Sequence, residues 1–298
     1  MLVRKLAPLS LFFAAFAAAT TCGGHGTSES MIVSPKWLAA HLTDPDLVIL
    51  AVGEQKDYEA GHIPGSRFVV YKDIAETNSA GLILELPSMP RLAEVFGKYG
   101  VSNSSHVVVY RLKDWLTPSA RVLMTLDGMG LGRNAAMLDG NVEIWKEDGG
   151  AVTTEVPTMK PGKIDPCPQD DVIANLAFVR DNLHTPGVRI LDARSPEAYN
   201  GDPKSARPGI RAGHIEGAGN VHYDSLLTPK GKLLPVADLQ AKFTAAGVKP
   251  GDRVVTYCFI GQQASALYWF SRYLGYDTRL YDGSMDEWSK HDELPIVK

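Results

Sequence analysis

Cysteine is scarce in this chain, with three in 298 residues, at positions 22, 167 and 258. That excludes the disulfide framework of small secreted scaffolds, which need several bridges to replace a core. Charge of one sign is scarce too. Thirty Lys and Arg stand against 34 Asp and Glu, a formal net charge of −4, and there is no basic stripe of the kind that neutralises nucleic acid or anionic lipid. The eight histidines show no metal-ligand spacing. The N-terminal apolar run, Leu6 to Ala19, is too short to cross a bilayer comfortably.

What that run does fit is export. Arg4 and Lys5 precede it, and Ala17, Ala18 and Ala19 offer small residues for a signal peptidase. A signal peptide with tether over residues 1–30 is expected, and with it a periplasmic location. Cys22, followed by GGHGTSES, is an alternative lipid-attachment site that would anchor the chain to a membrane.

The chain repeats itself. DLVILAVGEQKDYEAGHIPGSRFVVY near residue 47 parallels GVRILDARSPEAYNGDPKSARPGIRAGHIEGAGNVHY near residue 188, with His62 and His214 152 positions apart. Asp139 and Asp282 are 143 apart, as are Trp145 and Trp288. Two features in one order with drifting spacing indicate a duplicated domain. A proline-containing junction separates the copies. The expected organisation is therefore a first domain at 31–158, a linker at 159–168 and a second domain at 169–298. Within each copy, strand-length apolar runs such as VRILDA and RVVTY alternate with helical patterns. This predicts an α/β fold, a mainly parallel sheet with helices on both faces, whose sites lie beyond the carboxyl ends of strands.

Cys258 falls at such a place. RVVTY ends at Tyr257, and Ala264, Leu267, Tyr268, Ser271 and Leu274 recur at helical spacing. Between them lie only Cys258, Phe259, Ile260, Gly261, Gln262 and Gln263. A short loop entering a helix aims unpaired N–H groups inward, and Gly261 permits the bend. The same amides favour a thiolate at Cys258, and would also hold a persulfide anion. A buried inert thiol is the alternative for Cys258, and a linker thiol for Cys167. Position 264, where a cysteine phosphatase needs its arginine, is Ala264, and position 261, where a thioredoxin motif needs its second cysteine, is Gly261. A papain-like pairing with a distant histidine stays open.

GHIPG and GHIEG, LDAR, YDGSMDEW and the Cys-x-x-Gly loop together resemble the tandem rhodanese family, the thiosulfate and 3-mercaptopyruvate sulfurtransferases. The resemblance covers the chain from about residue 31. It implies two rhodanese-like domains, the first noncatalytic and the second catalytic. Cys258 would accept sulfur as a persulfide, so no separate cofactor or metal is needed, and Arg194 in LDARSPEAY would bind an anionic donor. The loop residues Phe259, Ile260, Gly261, Gln262 and Gln263 would surround that donor, with Arg211 a second cationic candidate. Arg111 stands after Tyr110 as Cys258 stands after Tyr257, so the first copy lacks the nucleophile. The resemblance makes the Gly-His-Ile motif, with its His62 and His214, structural, and Asp282 and Trp288 read as turn and core. The family's thiosulfate-type loop carries basic residues and its mercaptopyruvate type small polar ones. Phe259 and Ile260 match neither, so the loop's charge does not choose the donor. Thiosulfate is placed first because an exported protein meets inorganic sulfur anions, with cyanide or another thiophile as acceptor. A noncatalytic binding module and a redox-sensing thiol resolved by Cys167 are the competing expectations.

Overall fold

The computed structural model describes residues 24–113 and 115–298. The expected signal peptide and the alternative lipid attachment at Cys22 lie outside the described residues. No described helix is long and apolar enough to cross a membrane.

Each copy builds one sheet. The first contains β1 (Ile32–Val33), β2 (Leu47–Val52), β3 (Arg67–Phe68), β4 (His106–Arg111) and β5 (Ala135–Asn141), in the order β1-β5-β4-β2-β3. The second half gives β6 (Ile173–Ala174), β7 (Val188–Asp192), β8 (His214–Ile215), β9 (Gly219–Asn220), β10 (Arg253–Tyr257), β11 (Asp277–Tyr281) and β12 (Ile296–Val297). Five of these form the order β6-β11-β10-β7-β9, which is the first order again, while β8 and β12 pair antiparallel beside it. All pairings in the two large sheets are parallel.

Val-rich strands such as HVVVYR suit a parallel sheet because both of its faces must be apolar. Along β2, Val48, Leu50 and Val52 join one core, while Ile49 and Ala51 join the other. The first of these cores runs on through the second domain, taking in Leu191, Val254 and Leu267. Two helices form the seam. Leu116–Gly128 and Gln262–Tyr273 pack on each other, and all but one residue of the former is buried. Each fully buried leucine there contributes about 1.5–3 kcal/mol over an exposed one.

The repeated motifs perform repeated work. His62 and His214 donate from Nδ1 to the carbonyls of Tyr58 and Tyr199, at 2.8 and 2.9 Å, and stack on those same rings. Ile63 and Ile215 donate their N–H to the hydroxyls of Tyr110 and Tyr257. One difference matters. Four residues separate Tyr58 from His62, whereas fifteen separate Tyr199 from His214, so the second copy carries eleven additional residues.

Residues 24–27, expected as tether, lie against the body. Gly24 accepts the N–H of Arg133, and His25 pairs with Asp127 at 2.8 Å and Asp171 at 3.0 Å. The linker is likewise held: Gly162 and Cys167 donate to the carbonyls of Gly97 and Met129. Cys167 is disulfide-bonded, which corrects its reading as a linker thiol and removes it as a resolving partner for Cys258.

Candidate active site

Cys258 sits directly after β10, fully buried, and is the free cysteine among the described residues. The helix Gln262–Tyr273 begins four residues later, and Gly261 makes the entry with φ +80°. The backbone amides of Ala264, Ile260 and Gln263 favour thiolate. Burial is the larger influence, and the thiol is pushed above its ordinary range. The amide cradle expected from the sequence is present, but the expected net lowering of the thiol's pKa is corrected: desolvation of a wholly enclosed sulfur outweighs three amide dipoles.

Ser284, which sequence reasoning passed over, ties the loop. Its hydroxyl accepts the N–H of Cys258 at 3.1 Å and of Gly261 at 3.0 Å, and donates to the Tyr281 carbonyl at 2.8 Å. Ser284 has φ +50°, a conformation that costs a residue with a β-carbon about 1–3 kcal/mol and persists only where surrounding contacts enforce it. Two carbonyls of the loop, Cys258 and Phe259, accept from Met285 and Asp286. The loop is therefore anchored to the segment after β11. Asp282 also exceeds its expected role as a turn residue, because it forms a buried ion pair with Arg121 of the first domain.

Arg194 and Arg211 are both committed to protein groups. Arg194 is fully buried; its Nε and Nη2 bond Asp192 at 3.0 and 2.5 Å, Nη2 also reaches the Gly213 carbonyl, and its guanidinium carbon lies 4.9 Å from the centroid of the Phe259 ring. Nη2 of Arg211 donates to the carbonyls of Trp288, His291 and Leu294. That geometry makes Arg211 a clasp for the C-terminal turn, with Nη2 held by three main-chain carbonyls.

Arg207, by contrast, is exposed. Its guanidinium carbon lies 3.8 Å from the centroid of the Phe259 ring and, with Lys204, His222 and Tyr223, Arg207 lines a cavity of about 390 Å³ that also reaches Phe259 and Gln263. No acidic side chain among the described residues lines it. Lys204 and Arg207 belong to the eleven additional residues of the second copy, and comparing the two repeats position by position is the signal that would have found them. Phe259, the residue after the buried Cys258, thus forms part of the wall of a cationic cavity. Ile260 and Gln262 lie partly buried beside it. In the first copy, Arg111 occupies the position of Cys258, and its Nη2 donates across the seam to the Gly231 carbonyl.

The model of the rhodanese-like domain matches residues 34–148 and 176–291. A putative thiosulfate sulfurtransferase of Mycobacterium tuberculosis is 33% identical over 244 residues, spanning 80% of this chain and 84% of that protein. A sulfur carrier protein of Thermus thermophilus is 29% identical over 286 residues, 90% of this chain and 96% of its own. Among solved structures, a 3-mercaptopyruvate sulfurtransferase of Escherichia coli superposes with a TM-score of 0.74 at 25% identity, covering 86% of this chain and 98% of that one. With its sheet order repeated and both copies matched, this chain belongs to the rhodanese-like domain family, in a two-domain arrangement.

Proposed function

We propose that the protein is a thiosulfate sulfurtransferase whose catalytic group is Cys258. One arrangement carries the reading: a cysteine whose thiolate is favoured by helix-entry amides, followed by Phe259 in the wall of a cationic cavity that no acidic side chain among the described residues lines. Arg207 and Lys204 attract the dianionic donor, which presents its outer sulfur to Cys258. The thiol loses its proton to solvent, the thiolate attacks that sulfur, a Cys258–S bond forms, and the sulfur–sulfur bond of thiosulfate breaks with sulfite leaving. The persulfide anion is stabilised by the amides that favoured the thiolate. Cyanide or another thiophile then removes the outer sulfur and regenerates the thiolate. The cavity's cations suit the carboxylate of 3-mercaptopyruvate as well, and that donor is the second reading. We also propose export to the periplasm, which the apolar run from Leu6 to Ala19 behind Arg4 and Lys5 supports.

Intact mass before and after thiosulfate tests the reading. A gain of about 32 Da, the atomic mass of one sulfur, is expected on wild-type protein, reversed by cyanide and missing in Cys258→Ser. Gain from mercaptopyruvate alone reassigns the donor. No gain from either on a free thiol leaves a binding module.

A further inference from the structure

The loop of Cys258 is not braced by its own domain alone. Arg121 comes from the first domain's seam helix, Leu116–Gly128, and is fully buried. Its two terminal nitrogens meet both carboxylate oxygens of Asp282, Nη2 at 2.7 Å, and Nη2 also reaches the Leu84 carbonyl at 2.5 Å. Asp282 stands two residues before Ser284, whose hydroxyl holds the amides of Cys258 and Gly261. A β-carbon built on Gly261 would fall 2.1 Å from Asp282 Oδ1 and 3.1 Å from Arg121 Nη1. The ion pair therefore lies flush against the loop's glycine.

A buried pair of this kind is a poor stabiliser, because desolvation costs several kcal/mol per ion and apolar replacements of similar volume often do as well. What a two-pronged guanidinium does supply is direction, fixing the plane and position of the carboxylate it grips. Asp282 is gripped from across the seam, at the point where the turn that carries Ser284 begins.

We propose that Arg121 is a positioning residue for sulfur transfer: through Asp282 and Ser284, the noncatalytic domain holds the amide cradle of Cys258 in register. The proposal rests on the sulfurtransferase reading but makes a claim about the thiol that needs no donor. Arg121 touches neither donor nor sulfur.

The test uses the full chain. R121M would leave Asp282 as a lone buried charge and endanger the fold, so the variants are R121M/D282N, which removes both charges, and R121K, which keeps charge and loses the fork. One readout is the rate of Cys258 alkylation by iodoacetamide from neutral to alkaline pH. The other is kcat and KM with thiosulfate. The double variant is expected to melt close to wild type, to need roughly tenfold less acid for half-maximal alkylation, and to lose roughly tenfold in kcat with KM little changed, as when a preorganised donor is misaligned. R121K shifts both in the same direction by less. A wild-type alkylation profile and kcat in the double variant, or in R121K should the double variant not fold, overturns the proposal, as does a loss confined to KM. If wild-type protein takes sulfur from no donor, the transferase reading fails, and the alkylation profile alone still decides whether Arg121 governs Cys258.

Discussion

At the scale of single residues, the site is a contest between burial and oriented amides. Cys258 is enclosed enough to resist ionisation, and the helix entry partly offsets that. Gly261 is where the balance is most easily upset. It has φ +80°, where side chains are strained, and no room for a methyl beside Asp282. Gly261→Ala is expected to lower stability by more than about 1 kcal/mol and to slow sulfur loading at least roughly tenfold. Thermal melting and intact mass after thiosulfate check both, and normal loading in the variant would mean that the cradle does not hold the persulfide. Cys258 and Gly261 were legible in the sequence because strand, loop and helix follow one another within about a dozen residues. Ser284 and Arg121 were not, because Ser284 reaches the loop from 26 residues downstream of Cys258, and Arg121 acts through Asp282, which is 161 residues from it in the chain.

Among elements, the extra segment between Tyr199 and His214 distinguishes the copy that carries Cys258 from the copy that carries Arg111 in its place. The repeat itself was plain in the sequence, since GHIPG and GHIEG keep their tyrosine partners and their strand contacts. The meaning of the extra residues was hidden, because a loop without periodicity announces neither its path nor the side chains it turns toward the site. Folded, it carries Arg207 onto Phe259 and into the cavity wall, while Arg211 turns the other way into a cage of carbonyls. Arg207→Ala is accordingly expected to raise the KM for thiosulfate roughly tenfold while kcat changes little, the signature of lost ground-state capture of an anion. Steady-state kinetics with Arg211→Ala alongside provide the contrast. That variant should lose thermal stability and leave KM near wild type, and a reversed pattern would exchange the two assignments.

For the whole molecule, duplication supplied two sheets, and the seam made them one body with a continuous core. The sequence showed the two units but not their joining, because a seam between helices reads simply as apolar periodicity. Its polar contacts link distant residues: Tyr268 donates to Asp127 at 2.5 Å, and His25 joins the same carboxylate to Asp171. The N-terminal strap therefore clamps the first domain's seam helix to the segment leading into the second. Burial opposes charge on His25, and Arg272 adds to that opposition, yet the bonds to Asp127 and Asp171 leave its pKa raised, while that of Asp171 is lowered. The sign follows from linkage. A raised histidine contributes stability that is complete below its unfolded value, about 6.5, and is lost as pH rises through the folded value; the lowered carboxylate contributes above its unfolded value, about 3.9, and is lost as pH falls through the folded one. Both act together only in the mildly acidic window between. Melting temperatures of wild type and His25→Gln should differ most in that window and converge toward alkaline pH. A difference that stayed constant into the alkaline range would mean that neutral hydrogen bonds hold the strap, because only a charged imidazole makes the clamp titrate.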